Sequence, residues 1–333
     1  MPELYKPAVT PWGLDEGEFY EIESQREQVE FLLRYAILAP SGHNSQPWTF
    51  RITEDGVEIY ADYSRRLPVA DPGDRELVMS IGAVITNLRV AAAHFGIETS
   101  VLYQPVFDEA LPLAMVSLRE TCAPDDRLAR LFPAIRLRRT SRGKFMQRPV
   151  DIKTLTELFD LMTEFPQAVR LVLPQDKRRA ARLVAAGNRE QWARVEFREE
   201  LADWMRGHGA ADGLLAPPLA PWVVRHFDVG PARARHDREQ AEAAAALLAI
   251  TAEDDRVSLV QAGEVLERVL LTITLCGLQY SFFNLAIGVV NLRRRLWDLL
   301  GSRRPPQVLL RIGHARRLLR GGTPRRKLDT VLR

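Results

Sequence analysis

Apolar and polar positions along the chain follow two periods, and their alternation predicts the elements. Residues 21–39 place Val29, Leu32, Leu33, Ala36 and Ile37 on one helical face, and Pro40 ends that run. Residues 48–52 and 56–62 read as a hairpin turning at Glu54-Asp55-Gly56. Residues 74–95 form a long apolar helix closed by Gly96, and strands are expected at 98–104 and 112–119. A basic knot, RLRRTSRGKF (136–145), precedes a helix near 151–164, a strand near 168–173 and a helix over about 175–206. Residues 207–237 read as irregular. They mix Gly207, Gly209 and Gly213 with Pro217, Pro218 and Pro221, and such a long irregular stretch is more often functional than idle. A buried strand at 245–253, a second long apolar helix at 256–276 followed by Gly277, a last strand at 307–315 and a basic tail complete the chain. Residues 1–20, rich in Pro, Gly and acids, read as an arm.

The two long helices belong to a repeat. At an offset of 181, Asp74 meets Asp255, Arg75 meets Arg256, Gly82 meets Gly263, Leu88 meets Val269, Gly96 meets Gly277 and Ser100 meets Ser281. Each copy follows a strand. A unit of this size is too long for a solenoid repeat. It predicts an α+β chain of two related halves about a pseudo-two-fold axis, as in a fused homodimer. The expected division is 21–130 and 131–333.

Composition narrows the class. The 333 residues are 46% hydrophobic and 27% charged, which excludes a largely disordered chain. Cys122 and Cys276 are too few for a disulfide framework or a zinc cluster. No export signal and no long uninterrupted apolar run is seen, so a soluble cytoplasmic protein without a membrane partner is expected. Of 46 basic residues only 5 are lysines, but acids are interspersed and the net charge is +3, which argues against a nucleic-acid partner. The six histidines show no metal spacing, and no P-loop, GxSxG, HExxH or Rossmann fingerprint occurs. Trp192 and Trp204 read as core or lid packing, and Arg293-Arg294-Arg295 as an exposed helix face.

Chemistry concentrates in Ala39-Pro40-Ser41-Gly42-His43-Asn44-Ser45-Gln46-Pro47-Trp48, between a helix end and a strand start. Short polar side chains and free backbone groups at a Gly-containing turn suit the edge of a flat heteroaromatic ligand. They equally suit a loop that stabilises its own backbone.

This segment resembles the flavin-contacting APSxxNxQPW segment of the nitroreductase superfamily, FMN-dependent enzymes that are usually homodimers. Ala39, Pro40, Ser41, Asn44, Gln46, Pro47 and Trp48 stand in place. In that family the segment reaches the isoalloxazine from across the dimer interface, and an Arg-Arg-Ser-x-Arg knot near the N-terminus holds the FMN phosphate. Here the N-terminal place reads VTPWGLDEGEF and lacks the knot. The match lies instead at Arg138-Arg139-Thr140-Ser141-Arg142-Gly143-Lys144-Phe145, with Pro149-Val150 following. Anchored on Phe145 it selects Arg139 and Ser141. Anchored on the Arg pair it selects Arg138, Arg139, Thr140 and Arg142. Arginine with hydroxyl is the donor set a phosphate dianion needs.

No ring-contacting segment follows the knot, where the chain reads DLMTEFPQAVRL. One half thus keeps the ring segment and the other keeps the phosphate knot, which in a fused dimer makes one complete flavin site per chain. This resembles the Acg-like branch, whose members are fused pseudo-dimers with a lid over a single site. The resemblance implies a nitroreductase-like fold with mostly antiparallel sheets and long central helices, FMN as cofactor, NAD(P)H as reductant and a small nitroaromatic or quinone-like acceptor. It places Pro40, Ser41, Asn44 and Gln46 at the ring, and Arg138–Arg142 with Arg325 and Arg326 at the phosphate, unless 324–329 is only a basic tail. Residues 207–237 are the expected lid. The other reading of the whole is a protein that sequesters FMN with little turnover.

Overall fold

The computed structural model describes residues 12–106, 108–120, 125–146, 148–160, 168–208, 219–315 and 322–333, apart from the side chains of residues 207 and 208. In the first half a 3-10 turn, Glu16–Glu21, leads into α1 (Gln25–Ala36), whose first turn is capped by Ser24. Then come β1 (Trp48–Thr53), β2 (Gly56–Ala61), α2 (Arg75–His94), β3 (Ile97–Tyr103), β4 (Ala114–Glu120), α3 (Asp126–Ala129) and α4 (Phe132–Leu137). The second half runs α5 (Ile152–Asp160), β5 (Val169–Leu171), α6 (Lys177–Ala193), α7 (Val195–His208), α8 (Ala220–His226) and α9 (Gly230–Ala243). It ends with β6 (Ala246–Thr251), α10 (Arg256–Leu275), β7 (Gln279–Phe282), α11 (Val290–Leu300) and β8 (Pro306–Gly313).

Among the described residues the strands form two four-stranded antiparallel sheets with one shared topology, β1-β2-β4-β3 and β5-β6-β8-β7. The duplication read from the sequence is therefore a duplication of fold. Its axis passes between α2 and α10, which cross at the repeat's own glycines. A Cβ on Gly82 would lie 1.9 Å from the Val260 carbonyl oxygen, and one on Gly263 would lie 2.0 Å from that of Met79. Backbone meets backbone there, so each position accepts only hydrogen. Both helices end at a left-handed glycine, Gly96 (φ 77°) and Gly277 (φ 69°). The helix starts have diverged. Asp255 caps α10 by accepting the Ser258 N–H (2.9 Å). Asp74 instead pairs with Arg66 (2.9 Å), and Asp71 accepts the Leu77 N–H (3.0 Å).

The outer faces of the sheets differ. α6, α9 and α11 cover the second sheet, burying Val172, Leu247, Ala249 and Leu309 against Ala180, Val184, Leu292 and Leu296. In the first sheet β3 and β4 alternate more and less exposed positions, whereas β2 is buried along its whole length. α2 is long and apolar enough to cross a bilayer, but 89% of its apolar window is buried inside the protein, where it serves as core.

Two expectations are corrected between β5 and β6. The helix expected over 175–206 breaks at Arg194, which is extended (ψ 124°), into α6 and α7. Residues 207–237 are not irregular throughout, because α8 and α9 occupy 220–226 and 230–243. Pro221 and Pro231 sit in the first turns of these helices, where the missing N–H is harmless, so Pro221, read as part of an irregular stretch, helps to start a helix. α9 also buries little beyond Gly230, Ala234, Gln240 and Ala241, and presents no apolar stripe to read. Residues 209–218 of the expected lid lie outside the described residues, as do 161–167 of the helix expected near 151–164. Arg293 turns inward to Asp254 (2.6 Å) and the Pro306 carbonyl (2.9 Å), and only Arg294 and Arg295 face solvent.

The C-terminal tail crosses back to the first half. The Phe50 N–H donates to the Val331 carbonyl (2.7 Å) and the Arg333 N–H to that of Phe50 (2.8 Å), so 331–333 cover the free edge of β1.

Candidate functional site

The loop after α1 adopts a backbone that L-residues seldom take. His43 (φ 50°), Asn44 (φ 57°) and Gln46 (φ 52°) are all left-handed, at about 1 kcal/mol each. Hydrogen bonds from two directions hold it. Ser41 Oγ accepts the Gln46 N–H (2.9 Å). From the tail, Pro324 O accepts from Asn44 Nδ2 (3.0 Å), and the Arg326 N–H donates to Gln46 Oε1 (2.7 Å). The Arg326 guanidinium donates to Gln46 O (3.1 Å) and pairs with Asp62 (2.9 Å). Arg325, buried, donates to the carbonyls of Ile37, Leu38 and Ala39 at 3.0, 3.0 and 3.2 Å and to Asn44 Oδ1 at 3.0 Å. Residues 322–327 are thus the frame of the loop and not a frayed end.

The knot runs along the second sheet. Thr140 bridges to Tyr280 on β7, the Ser141 N–H donates to the Tyr280 carbonyl (2.9 Å), and Phe145 bridges to Ala315 beyond β8. Ser141 is buried, and Arg311 of β8 reaches from the strand to the carbonyls of Ser141 (3.4 Å) and Gly143 (2.7 Å). Knot and loop meet at Arg138, which donates to Leu38 O (2.8 Å) and to Tyr280 Oη (2.7 Å) and pairs with Glu267 (3.2 Å). Arg139 stacks on the Trp12 ring at 3.9 Å and donates to the carbonyls of Arg136 and Arg138. Arg142 keeps part of its surface in solvent at the other end of the loop, near enough to His43 for its charge to act there.

These guanidiniums crowd one another. Burial, then the charges of Arg138 and Arg139, push Arg325 down to about 9, and Glu267 opposes them. Burial and Arg138 push Arg139 down to about 10. Burial pushes Glu267 up to about 7 against the pull of Arg138 and Arg325. Around Arg142, burial and the Arg233 charge lower the guanidinium while Asp237 opposes. Burial likewise lowers Arg311 to about 10. Such surroundings favour an anion over a further cation.

α7 lies over the loop. Phe197 meets the His43 ring at 6.4 Å between centroids, and Glu200 accepts the N–H groups of Val69 (2.9 Å) and Ala70 (2.8 Å). Arg65 sits over the Trp204 ring at 5.2 Å. Trp192, Phe197, Ala202 and Val224 form a small core with Val69, Ala70 and Leu285. The cover on the loop therefore comes from 195–208, upstream of most of the range expected for a lid.

No family model matches the chain. It is 30% identical over 317 residues to a Mycobacterium tuberculosis protein named putative NAD(P)H nitroreductase Rv3131, covering 92% of this chain and 91% of that one. The chain belongs to the nitroreductase family. A second protein of the same organism, the nitroreductase homologue acg, is 28% identical over 321 residues, 91% of this chain and 94% of that one. Among solved structures, the FMN-dependent nitroreductase NfnB from Mycobacterium smegmatis, in complex with NADPH, matches at 16% identity. That match covers 62% of this chain and 98% of NfnB, with a TM-score of 0.41.

In this member of the family the sequence missed groups that tie loop, tail and knot together: Trp12, Asp62, Glu267, Tyr280 and Arg311. Two carried a signal. Glu267 stands in the apolar run VLERVLLTITL and Arg311 in the apolar strand VLLRIG, and a charge in such a run must find a partner inside. Trp12, Asp62 and Tyr280 carried none, because their roles depend on contacts between segments far apart in the chain.

Proposed function

We propose that the chain is an FMN-dependent NAD(P)H oxidoreductase with one flavin site, built between the 39–48 loop of the first half and the 138–145 knot of the second. The observation that carries this reading is Arg138 at 2.8 Å from Leu38 O, which fastens the ring segment of one half to the phosphate knot of the other. The residues present fit the cofactor, since crowded guanidiniums around Arg139 and Arg142 suit a phosphate dianion beside the Thr140 and Ser141 hydroxyls. In this reading Pro40, Ser41 and Asn44 present the loop to the ring. Arg139, Thr140, Ser141 and Arg142 hold the phosphate. Arg138, Arg325, Arg326 and Gln46 keep loop and knot in register, through Arg138 and Arg325 on the Leu38 carbonyl and Arg326 on Gln46. Bound FMN would supply hydride chemistry, with NAD(P)H as donor and a small nitroaromatic or quinone-like acceptor. The protein contributes binding, a positive field and exclusion of water.

A second reading, a protein that sequesters FMN with little turnover, is favoured by α7, whose Phe197 closes on the loop. FMN titration followed by anaerobic NADPH separates the two. Uptake of one equivalent with bleaching at 450–460 nm supports the oxidoreductase, on the order of full reduction within minutes. Uptake without bleaching supports sequestration. No uptake defeats both, and two equivalent sites per chain contradict the single site of the fused halves.

A further inference from the structure

Two contacts of different kinds hold α7 on the loop. Glu200 accepts the backbone N–H groups of Val69 and Ala70 at 2.9 and 2.8 Å, from a segment 130 residues earlier in the chain. One turn before it, on the same face of α7, Phe197 lies against His43, with ring planes at 64°. His43 is held left-handed, and its Nδ1 is sealed from solvent with no hydrogen-bond partner among the described residues. A neutral imidazole tolerates this, since with the proton on Nε2 the sealed nitrogen presents only a lone pair. An imidazolium carries a proton on both nitrogens, and a sealed donor without an acceptor is costly.

We propose that His43 and Glu200 form an acid-released latch, in which protonation of His43 lifts α7 off the loop and opens the site beneath it. The proposal concerns regulation of the site assigned above, and its consequence for catalysis rests on that reading.

Three charged groups face His43: Glu76 of α2, Glu200 of α7 and Arg142 of the knot. Glu76, the stronger of the two carboxylate pulls on His43, holds Arg75 (3.2 Å) and Asn284 (3.1 Å) through its Oε1, and moving it breaks no contact of α7. Arg142 repels a second cation. Glu200 links His43 to the clamp, because both its oxygens are engaged by Val69 and Ala70. Turning one toward an imidazolium breaks the clamp. Burial outweighs both carboxylates and keeps His43 neutral when α7 is seated. A group lowered in this way supports closure fully above its ordinary value of about 6.5, and the support is lost as pH falls below that.

The test is hydrogen exchange of the full chain at pH 7.5 and 5.5, corrected for intrinsic exchange rates, and read on 195–206 and 68–71. One proton with an ordinary pKa of ~6.5 in the open state can drive opening about tenfold across those two pH units. Exchange in both segments should rise by that factor in the parent and stay level in His43→Asn, which tolerates the left-handed backbone and does not titrate. Glu200→Gln should raise exchange at 68–71 already at pH 7.5. The latch is overturned if the parent exchanges equally at both pH values, if His43→Asn loses protection as the parent does, or if Glu200→Gln leaves exchange unchanged. The measurement needs no flavin. A chain that unlatches in acid but takes up no FMN fails the flavin reading alone, and one that binds FMN but stays latched fails the latch alone.

Discussion

Replacing Gly82 with alanine tests the duplicated architecture at its axis. In an ordinary helix interior Gly→Ala stabilises by about 1 kcal/mol. At Gly82 the new Cβ would stand 1.9 Å from the Val260 carbonyl oxygen and 2.7 Å from the Glu264 nitrogen, both backbone atoms that no rotamer change can move. Restoring a contact of about 3.2 Å means separating α2 and α10 by roughly 1.3 Å, enough to forfeit about half of each dispersion contact along the crossing. Overpacking of this kind costs up to roughly 3 kcal/mol at so close a contact, so the net expectation after the helix-propensity gain is a loss of about 1–2 kcal/mol. In urea unfolding followed by far-ultraviolet circular dichroism, a midpoint lower by about 0.5 M is expected at unchanged slope. Gly263→Ala, with its Cβ 2.0 Å from the Met79 carbonyl oxygen, should cost about the same. The double variant should cost less than the sum, because the helices are already apart. Gly73→Ala, whose Cβ meets nothing within 4 Å, is the control and should shift stability by less than about 1 kcal/mol. A Gly82→Ala protein as stable as the parent, or more stable, would refute the close crossing.

Three further outcomes can be checked. Changing Arg139 and Ser141 together to Ala should weaken FMN by about tenfold or more while leaving riboflavin nearly unchanged, as read by quenching of flavin fluorescence, since riboflavin has no phosphate to lose. Equal weakening of both ligands would make the knot merely structural. Glu267, buried and pushed up to about 7, keeps its proton in the folded chain at pH values where an unfolded glutamate has lost it. Its contribution is present below about 4.5 and is lost as pH rises through about 7, on the order of 3 kcal/mol in all. The urea midpoint of Glu267→Gln should therefore fall less than the parent's between pH 5 and pH 8, and parallel pH curves would contradict the assignment. Truncation after residue 322 removes the Arg325 bonds to Ile37, Leu38, Ala39 and Asn44. It should abolish FMN uptake and lower the unfolding midpoint, and a truncated chain that still binds FMN as tightly would show that the tail is dispensable.

Much of the frame was legible in the order of residues alone. Strand alternation, apolar helical runs and left-handed glycines are local signals, and β1–β4, α2, α10 and β8 stand within a residue or two of where periodicity placed them. The 181-residue offset announced two halves, and the pairing of Gly82 with Gly263 across the axis follows from it. Local signals failed where a residue's meaning depends on what it touches. Pro221 reads as part of an irregular stretch and starts a helix, and α9 has no apolar stripe because it buries small residues and Gln240. Arg325 and Arg138 match a ligand motif, yet their donors meet carbonyls at 37–39 that lie about 290 and 100 residues away in the chain. Sequence could name the arginines. Only the tertiary structure could show that Arg325 and Arg138 hold the loop, because that depends on which desolvated carbonyls each guanidinium must satisfy once the halves have closed.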